Sequence, residues 1–174
     1  MVAASIKNAR ITTRSDIRAG GLSVDVKTAR TGSDRVCVTL SADGKTLAER
    51  SSMAGQPVHL AVEHPRLWSP DDPYLYDLTV TLVRDGRVID RAESYAALRE
   101  IATGRDANGI ERMTLNGRPL FHFGPLDQGW WPDGLYTAPT DEALLYDIRF
   151  TKQLGFNMIR KHIKVEPERW YWHC

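Results

Sequence analysis

Apolar residues alternate with polar ones in four separate runs: Leu22, Val24, Val26; Val36, Val38, Leu40; Val58, Leu60, Val62; and Leu78, Val80, Leu82. A period of two sends successive side chains to opposite faces. Each run therefore predicts a strand with one buried face and one wet face. Asp43-Gly44 and Asp85-Gly86 fall between such runs, where a type I′ hairpin turn needs two residues that accept positive φ. Adding Ser5–Thr12 and Val88–Tyr95 brings the count to about seven strands in roughly a hundred residues, as expected of an immunoglobulin-like sandwich. The chain lacks the Cys…Trp…Cys framework of an antibody domain.

Composition narrows the function classes. The chain is 42% apolar and 26% charged, an ordinary globular balance over 174 residues. Its formal net charge of +1 gives no field that would recruit nucleic acid or an anionic membrane. No apolar run is long enough to span a bilayer. The N-terminal MVAASIKNARITTR has no apolar signal core, so no secretory signal is visible here; the compartment stays open, cytoplasmic or periplasmic for the parent protein. Two cysteines, Cys37 and Cys174, make neither a disulfide framework nor a zinc site. Cys37 sits in a strand pattern and is expected to be a buried, inert thiol.

The period changes after Arg99. Residues Ile101–Ile110 are polar, carry Gly104 and Gly109, and read as a linker or a loose strand. Arg112–Leu115 and Pro119–Phe123 flank Asn116-Gly117 as a hairpin. Residues 140–154 predict a helix: Thr140 suits the N-cap, Asp141 and Glu142 suit the positive end of the dipole, and Gly155 follows the end. Leu144, Leu145, Ile148 and Leu154 supply its apolar face. Phe156–Ile159 is too short for a helix and predicts a buried parallel strand. Glu166–Cys174, with Pro167 near its start, predicts a second helix. The order is strand, aromatic loop, helix, strand, with the loop and the basic cluster Arg160-Lys161-His162 at the same end of neighbouring strands. In a (β/α) barrel that end carries the chemistry.

Three motifs in order resemble glycoside hydrolase family 2, the β-galactosidase, β-glucuronidase and β-mannosidase group. They are Leu67-Trp68-Ser69-Pro70-Asp71-Asp72-Pro73-Tyr74-Leu75-Tyr76, Leu115-Asn116-Gly117-Arg118-Pro119-Leu120 and Leu154-Gly155-Phe156-Asn157-Met158-Ile159-Arg160. The resemblance implies a mainly β fold, with an immunoglobulin-like β-sandwich over 1–98 and the first two β/α units of a truncated TIM barrel over 99–174. It implies a parent that is a retaining glycosidase of β-linked, β-galactosidase-like substrates, with a jelly-roll domain and the remaining barrel as partners and room for homo-oligomer formation. It implies two catalytic glutamates on later barrel strands, matched by no position here, and no metal or organic cofactor. The other reading of these residues is a non-catalytic carbohydrate-binding or structural sandwich module.

Candidate substrate-binding residues follow from position. Asp127 and Gln128 lie in the loop after the first barrel-like strand, where a carboxylate or amide can reach a sugar hydroxyl. Trp130 and Trp131 lie in the same loop with Tyr136. Their faces either stack on sugar rings or bury area against a neighbour. Arg160 and His162 follow the second strand and point to one side, with Lys161 to the other. The planar fork of Arg160 suits a carboxylate or vicinal hydroxyls. Dipole and turn roles account for Asp133, Asp141, Glu142, Glu166 and Glu168. An incomplete barrel is expected to leave Leu144, Leu145, Ile148, Trp170 and Trp172 short of packing partners.

Overall fold

A computed structural model describes residues 10–28 and 33–174. The chain divides into two compact units, Met1–Pro119 and Leu120–Cys174.

The first unit is built on two antiparallel sheets. One has the order β1-β2-β5, with β1 Arg10–Asp16, β2 Gly21–Lys27 and β5 Val58–Ala61. The other has the order β4-β3-β6-β7, with β3 Arg35–Ala42, β4 Lys45–Met53, β6 Tyr76–Arg84 and β7 Arg87–Ala96. The alternating runs supply the core between them. Leu22, Val24, Val58 and Leu60 from the first sheet form one buried cluster with Val36, Val38, Leu40, Leu78, Val80 and Leu82 from the second. The registers Val36↔Leu82, Val38↔Val80 and Leu40↔Leu78 set these side chains directly opposite one another. Both Asp-Gly turns have positive φ at both residues, 50° and 74° at Asp43-Gly44 and 48° and 75° at Asp85-Gly86.

Three sequence expectations change here. The expected strand Ser5–Thr12 lies mostly outside the described residues, and β1 continues to Asp16. β4 has no apolar alternation; it is an edge strand, mostly exposed, and only the Asp43-Gly44 turn foreshadows it. Cys37 is half-buried rather than buried. Val36 and Val38 take the core face, so the pleat turns Cys37 outward. Partial desolvation, with the charge of Glu49 beside it, still raises the thiol above its ordinary pKa.

Of the two readings of Ile101–Ile110, linker or loose strand, the strand is the one realised, over its first half. β8 Ile101–Arg105 pairs with β9 Glu111–Leu115, and β9 with β10 Arg118–Pro119. Asp106 closes the first turn by accepting from the backbone N–H groups of Asn108 (2.9 Å) and Ile110 (3.0 Å) and from Arg112 Nε (3.0 Å). Asn116 fastens this sheet to the sandwich: its Oδ1 accepts from Glu100 N at 3.0 Å and its Nδ2 donates to the Trp68 carbonyl at 3.0 Å.

The 67–76 motif is a corner. Tyr76, at the start of β6, accepts from Arg66 N–H at 2.8 Å and donates to the Arg66 carbonyl at 3.1 Å. This tyrosine-to-upstream-backbone bond recurs in immunoglobulin-like sandwiches. Arg66 holds Asp72 with two hydrogen bonds (2.8 and 2.6 Å) and lies over the Tyr74 ring at 4.2 Å.

The second unit contains α1 Asp141–Gln153, α2 Glu168–His173 and a parallel pair, β11 Leu126–Asp127 with β12 Arg160–Lys161. Thr140 caps α1 by accepting from Ala143 N at 3.1 Å, and Gly155 follows at φ 84°. The strand expected at Phe156–Ile159 begins only at Arg160, and its apolar residues are half-buried. Among the described residues it has one strand neighbour, β11. Asn157 zips the approach, accepting from Phe123 N at 2.9 Å and donating to the Phe121 carbonyl at 2.9 Å. Gly124 allows this closeness, because a Cβ there would stand 1.7 Å from the Met158 carbonyl oxygen. The expected strand Pro119–Phe123 is realised only at Arg118–Pro119, and Phe121 is 80% exposed. Leu154 is exposed, whereas Leu144 and Trp170 are buried, contrary to expectation. No described helix is long and apolar enough to cross a membrane.

Asp141 joins the two helices. It accepts from Arg169 Nε, from Arg169 Nη2 at 2.9 Å and from His173 Nε2 at 3.0 Å. Dipole stabilisation alone therefore does not account for it. The Arg169 hydrogen bonds, then that from His173, bring its carboxyl from 3.8 to about 2. A carboxylate depressed in the folded state stabilises fully above its unfolded pKa and loses that contribution as pH falls through the folded value. Between about pH 4 and pH 2 the second unit should lose stability, and Asp141→Asn should flatten that limb. Acid titration followed by tryptophan fluorescence checks this; superimposable wild-type and variant curves would refute it.

Candidate functional site

The parallel register Leu126↔Arg160 and Asp127↔Lys161 ends both strands at one level. Gln128 and His162, the next residue of each, are thereby neighbours. The Gln128 amide Nε2 meets His162 Nδ1 at 3.3 Å. His162 N–H donates to the Asp127 carbonyl at 2.9 Å and carries the pairing one residue further.

Asp127 opens a tight turn. One carboxylate oxygen accepts from Gly129 N at 2.6 Å, and the other accepts from Lys161 Nζ. Lys161 also donates to Glu166 Oε1 at 2.7 Å and lies over the Trp170 ring at 4.6 Å. Lys164 is 3.2 Å from Glu166 Oε1 and donates to the Gly129 carbonyl at 2.6 Å. Glu166 is only 6% exposed. Desolvation alone would lower Lys161, but its bonds to Asp127 and Glu166 outweigh it and the net shift is upward. Asp147 of α1 keeps an exposed edge, yet lost hydration pushes its carboxyl up; Asp127 adds to this and Lys161 opposes it.

The aromatic loop divides. Trp130 is half-exposed and packs on Tyr136 with ring centroids 4.3 Å apart. Trp131 instead enters a small bridge with Leu135, and its Nε1 is enclosed without a hydrogen-bond partner. Arg160 is exposed, and no described side chain pairs with its guanidinium. A cavity of about 480 Å³ opens beside the cluster, lined in part by Tyr136, Thr140, Asp141, Leu144, Glu166 and Arg169.

Asp127, Gln128 and His162 therefore meet at the strand ends, Trp130 follows the turn, and Arg160 and Trp131 engage none of them through a hydrogen bond. Sequence reasoning missed Lys161, Lys164 and Glu166. Alternation turned Lys161 away from Arg160 correctly, but what lies on that side is a buried carboxylate. The available signal was the spacing Lys161-x-x-Lys164-x-Glu166-Pro167, two cations preceding an acid just ahead of a helix.

The family model for glycosyl hydrolases family 2 matches residues 4–99. The chain belongs to glycosyl hydrolase family 2. Among this family-2 chain's relatives is a β-galactosidase of Lactococcus lactis subsp. lactis, 30% identical over 121 residues, which are 69% of this chain and 12% of that protein. Another is a putative β-glucuronidase of Formosa agariphila, 30% identical over 143 residues, 78% of this chain and 13% of that protein. The solved β-glucuronidase of Ruminococcus gnavus shares the fold, with a TM-score of 0.77 at 21% identity over 97% of this chain and 27% of that one. The family-2 chain thus spans 12–13% of the length of these two curated relatives.

Proposed function

We propose that this family-2 chain supplies the sandwich domain, residues 1–98, and the opening β/α units of the catalytic barrel, residues 99–174, to a retaining glycosidase of β-linked sugars. The two catalytic glutamates belong to barrel strands that this chain does not contain. In the complete enzyme the two carboxyl groups stand about 5–5.5 Å apart; one protonates the leaving oxygen and the other attacks the anomeric carbon. This chain's contribution is to bind and orient the sugar. Gln128 and His162 offer donors and acceptors to hydroxyls, Trp130 an aromatic face, and Arg160 a free guanidinium. Asp127 and Trp131 complete the proposed subsite from the same loop.

The observation that carries this reading is the convergence of Gln128 and His162 at the C-terminal ends of two parallel strands joined through a helix. That is the end at which barrel enzymes place their chemistry. The test is hydrolysis of nitrophenyl β-galactoside, β-glucuronide, β-mannoside and β-glucoside by the protein carrying the full family-2 domain set. One of these should turn over with retention of anomeric configuration. Arg160→Ala should lower kcat/KM at least about tenfold, or about 1.4 kcal/mol of transition-state stabilisation. No turnover of any β-glycoside would reject the enzyme reading in favour of a binding or structural module. Unchanged kinetics in a folded variant would remove Arg160 from the subsite.

A further inference from the structure

We infer that Lys164 and Glu166 are positioning residues that hold the Asp127–Gly129 turn in one conformation and so set where Asp127 and Trp130 stand. The inference rests on reading this loop as a sugar-binding face, and it gives the residues beneath the loop a role in affinity.

Glu166 lies two residues before α2 and is buried, so its charge must be answered locally. Two ammonium groups answer it, and each reaches a different end of the same turn. Lys161 binds the Asp127 carboxylate, and Lys164 binds the Gly129 carbonyl at 2.6 Å. Asp127 closes the turn on itself through Gly129 N–H at 2.6 Å. The fit is tight: Gly129 has φ 64°, and a Cβ on it would fall 2.4 Å from Glu166 Oε1 and 2.8 Å from Lys164 Nζ. Trp130 follows at once. Tyr136, on which it packs, has its ring centroid 5.5 Å from Lys164 Nζ. Lys164 therefore touches both the peptide that precedes Trp130 and the ring that supports it.

Burying such ions costs each of them hydration that their mutual attraction barely returns, and an apolar set of equal volume stabilises as well or better. What the ionic arrangement adds is direction, because each bond fixes a donor against one acceptor atom. A platform held this way keeps its order before the sugar arrives, and pre-ordering appears in binding rather than in the chemical step.

The experiment uses the full family-2 protein below the melting temperature of every variant. Lys164→Met keeps length and volume and removes the charge. It should raise KM for the β-glycoside at least about tenfold while kcat changes by less than about threefold. Lys164→Arg should recover part of the loss. In protein labelled with ¹⁵N-tryptophan, the Trp130 indole resonance should shift or broaden in Lys164→Met. Gly129→Ala should move both readouts the same way with every charge in place, and it decides the matter if Lys164→Met fails to fold. A Trp130 resonance and KM unchanged in both folded variants would overturn the inference. A displaced Trp130 resonance in a protein that binds none of the sugars would uphold the positioning role and reject the sugar reading.

Discussion

Leu78→Ala should cost the first unit about 2–5 kcal/mol, as truncation of a fully buried leucine does. Leu78 is 1% exposed and stands directly across from Leu40, itself fully buried, so the deletion opens a void in the middle of the sandwich. Neighbouring strands are held by full-length ladders on both sides of β6, which limits how far the backbone can collapse into that void. Trp68 is the only tryptophan in the unit Met1–Pro119, and its fluorescence reports the transition. In urea the midpoint should fall while the slope stays constant. Thr79→Ala, on the outer face of the same strand, should shift the midpoint little. A Leu78→Ala loss below about 1 kcal/mol would mean that the sandwich core is not the unit's main source of stability.

Glu166→Ala should destabilise the second unit by about 3–5 kcal/mol, the range for removing one partner of a buried ionic group. It strands Lys161 and Lys164, whose side chains are 11% and 7% exposed, with only Asp127 and the Gly129 carbonyl left to receive them. Glu166→Gln should cost less, since an amide oxygen still accepts a hydrogen bond. The exposed pair Arg91–Glu93, at 60% and 75% side-chain exposure, is the internal contrast; breaking it should cost no more than about 1 kcal/mol. Emission from Trp170, beneath Lys161, follows the change. Equal losses for Glu166→Ala and Glu93→Ala would show that the Glu166 cluster is solvated in solution.

The sandwich was legible because its information is local. Strands β2, β3, β5 and β6 state their buried face by alternation, and each Asp-Gly turn states where the chain reverses. The same logic found α1, since Thr140 and Gly155 mark its ends. It failed at β4, an edge strand whose polar face needs no apolar partner, and at β8 it left linker and loose strand open, because the strand is completed only by β9. It also overstated the strand after Gly155, because the ladder forms only where Leu126–Asp127 meets Arg160–Lys161.

At the candidate site the division is sharper. The residue order alone determined that an aromatic loop and a basic cluster share one end of neighbouring strands, and that Lys161 points away from Arg160. It also carried the family motifs, whose spacing survives as a corner at Arg66–Tyr76 and as the Asn157 zipper. Only the tertiary structure decided which charges are buried. Glu166 and Asp141 both read as helix-start acids; the lysines upstream of Glu166 hint at a difference, but the residue order does not say that they bury it. Glu166 is enclosed by Lys161, Lys164 and the Gly129 turn, whereas Asp141 is clasped at the surface by Arg169 and His173. The physical reason is that a helix dipole acts within one turn of its own helix, while desolvation is set by whatever the rest of the chain lays on top.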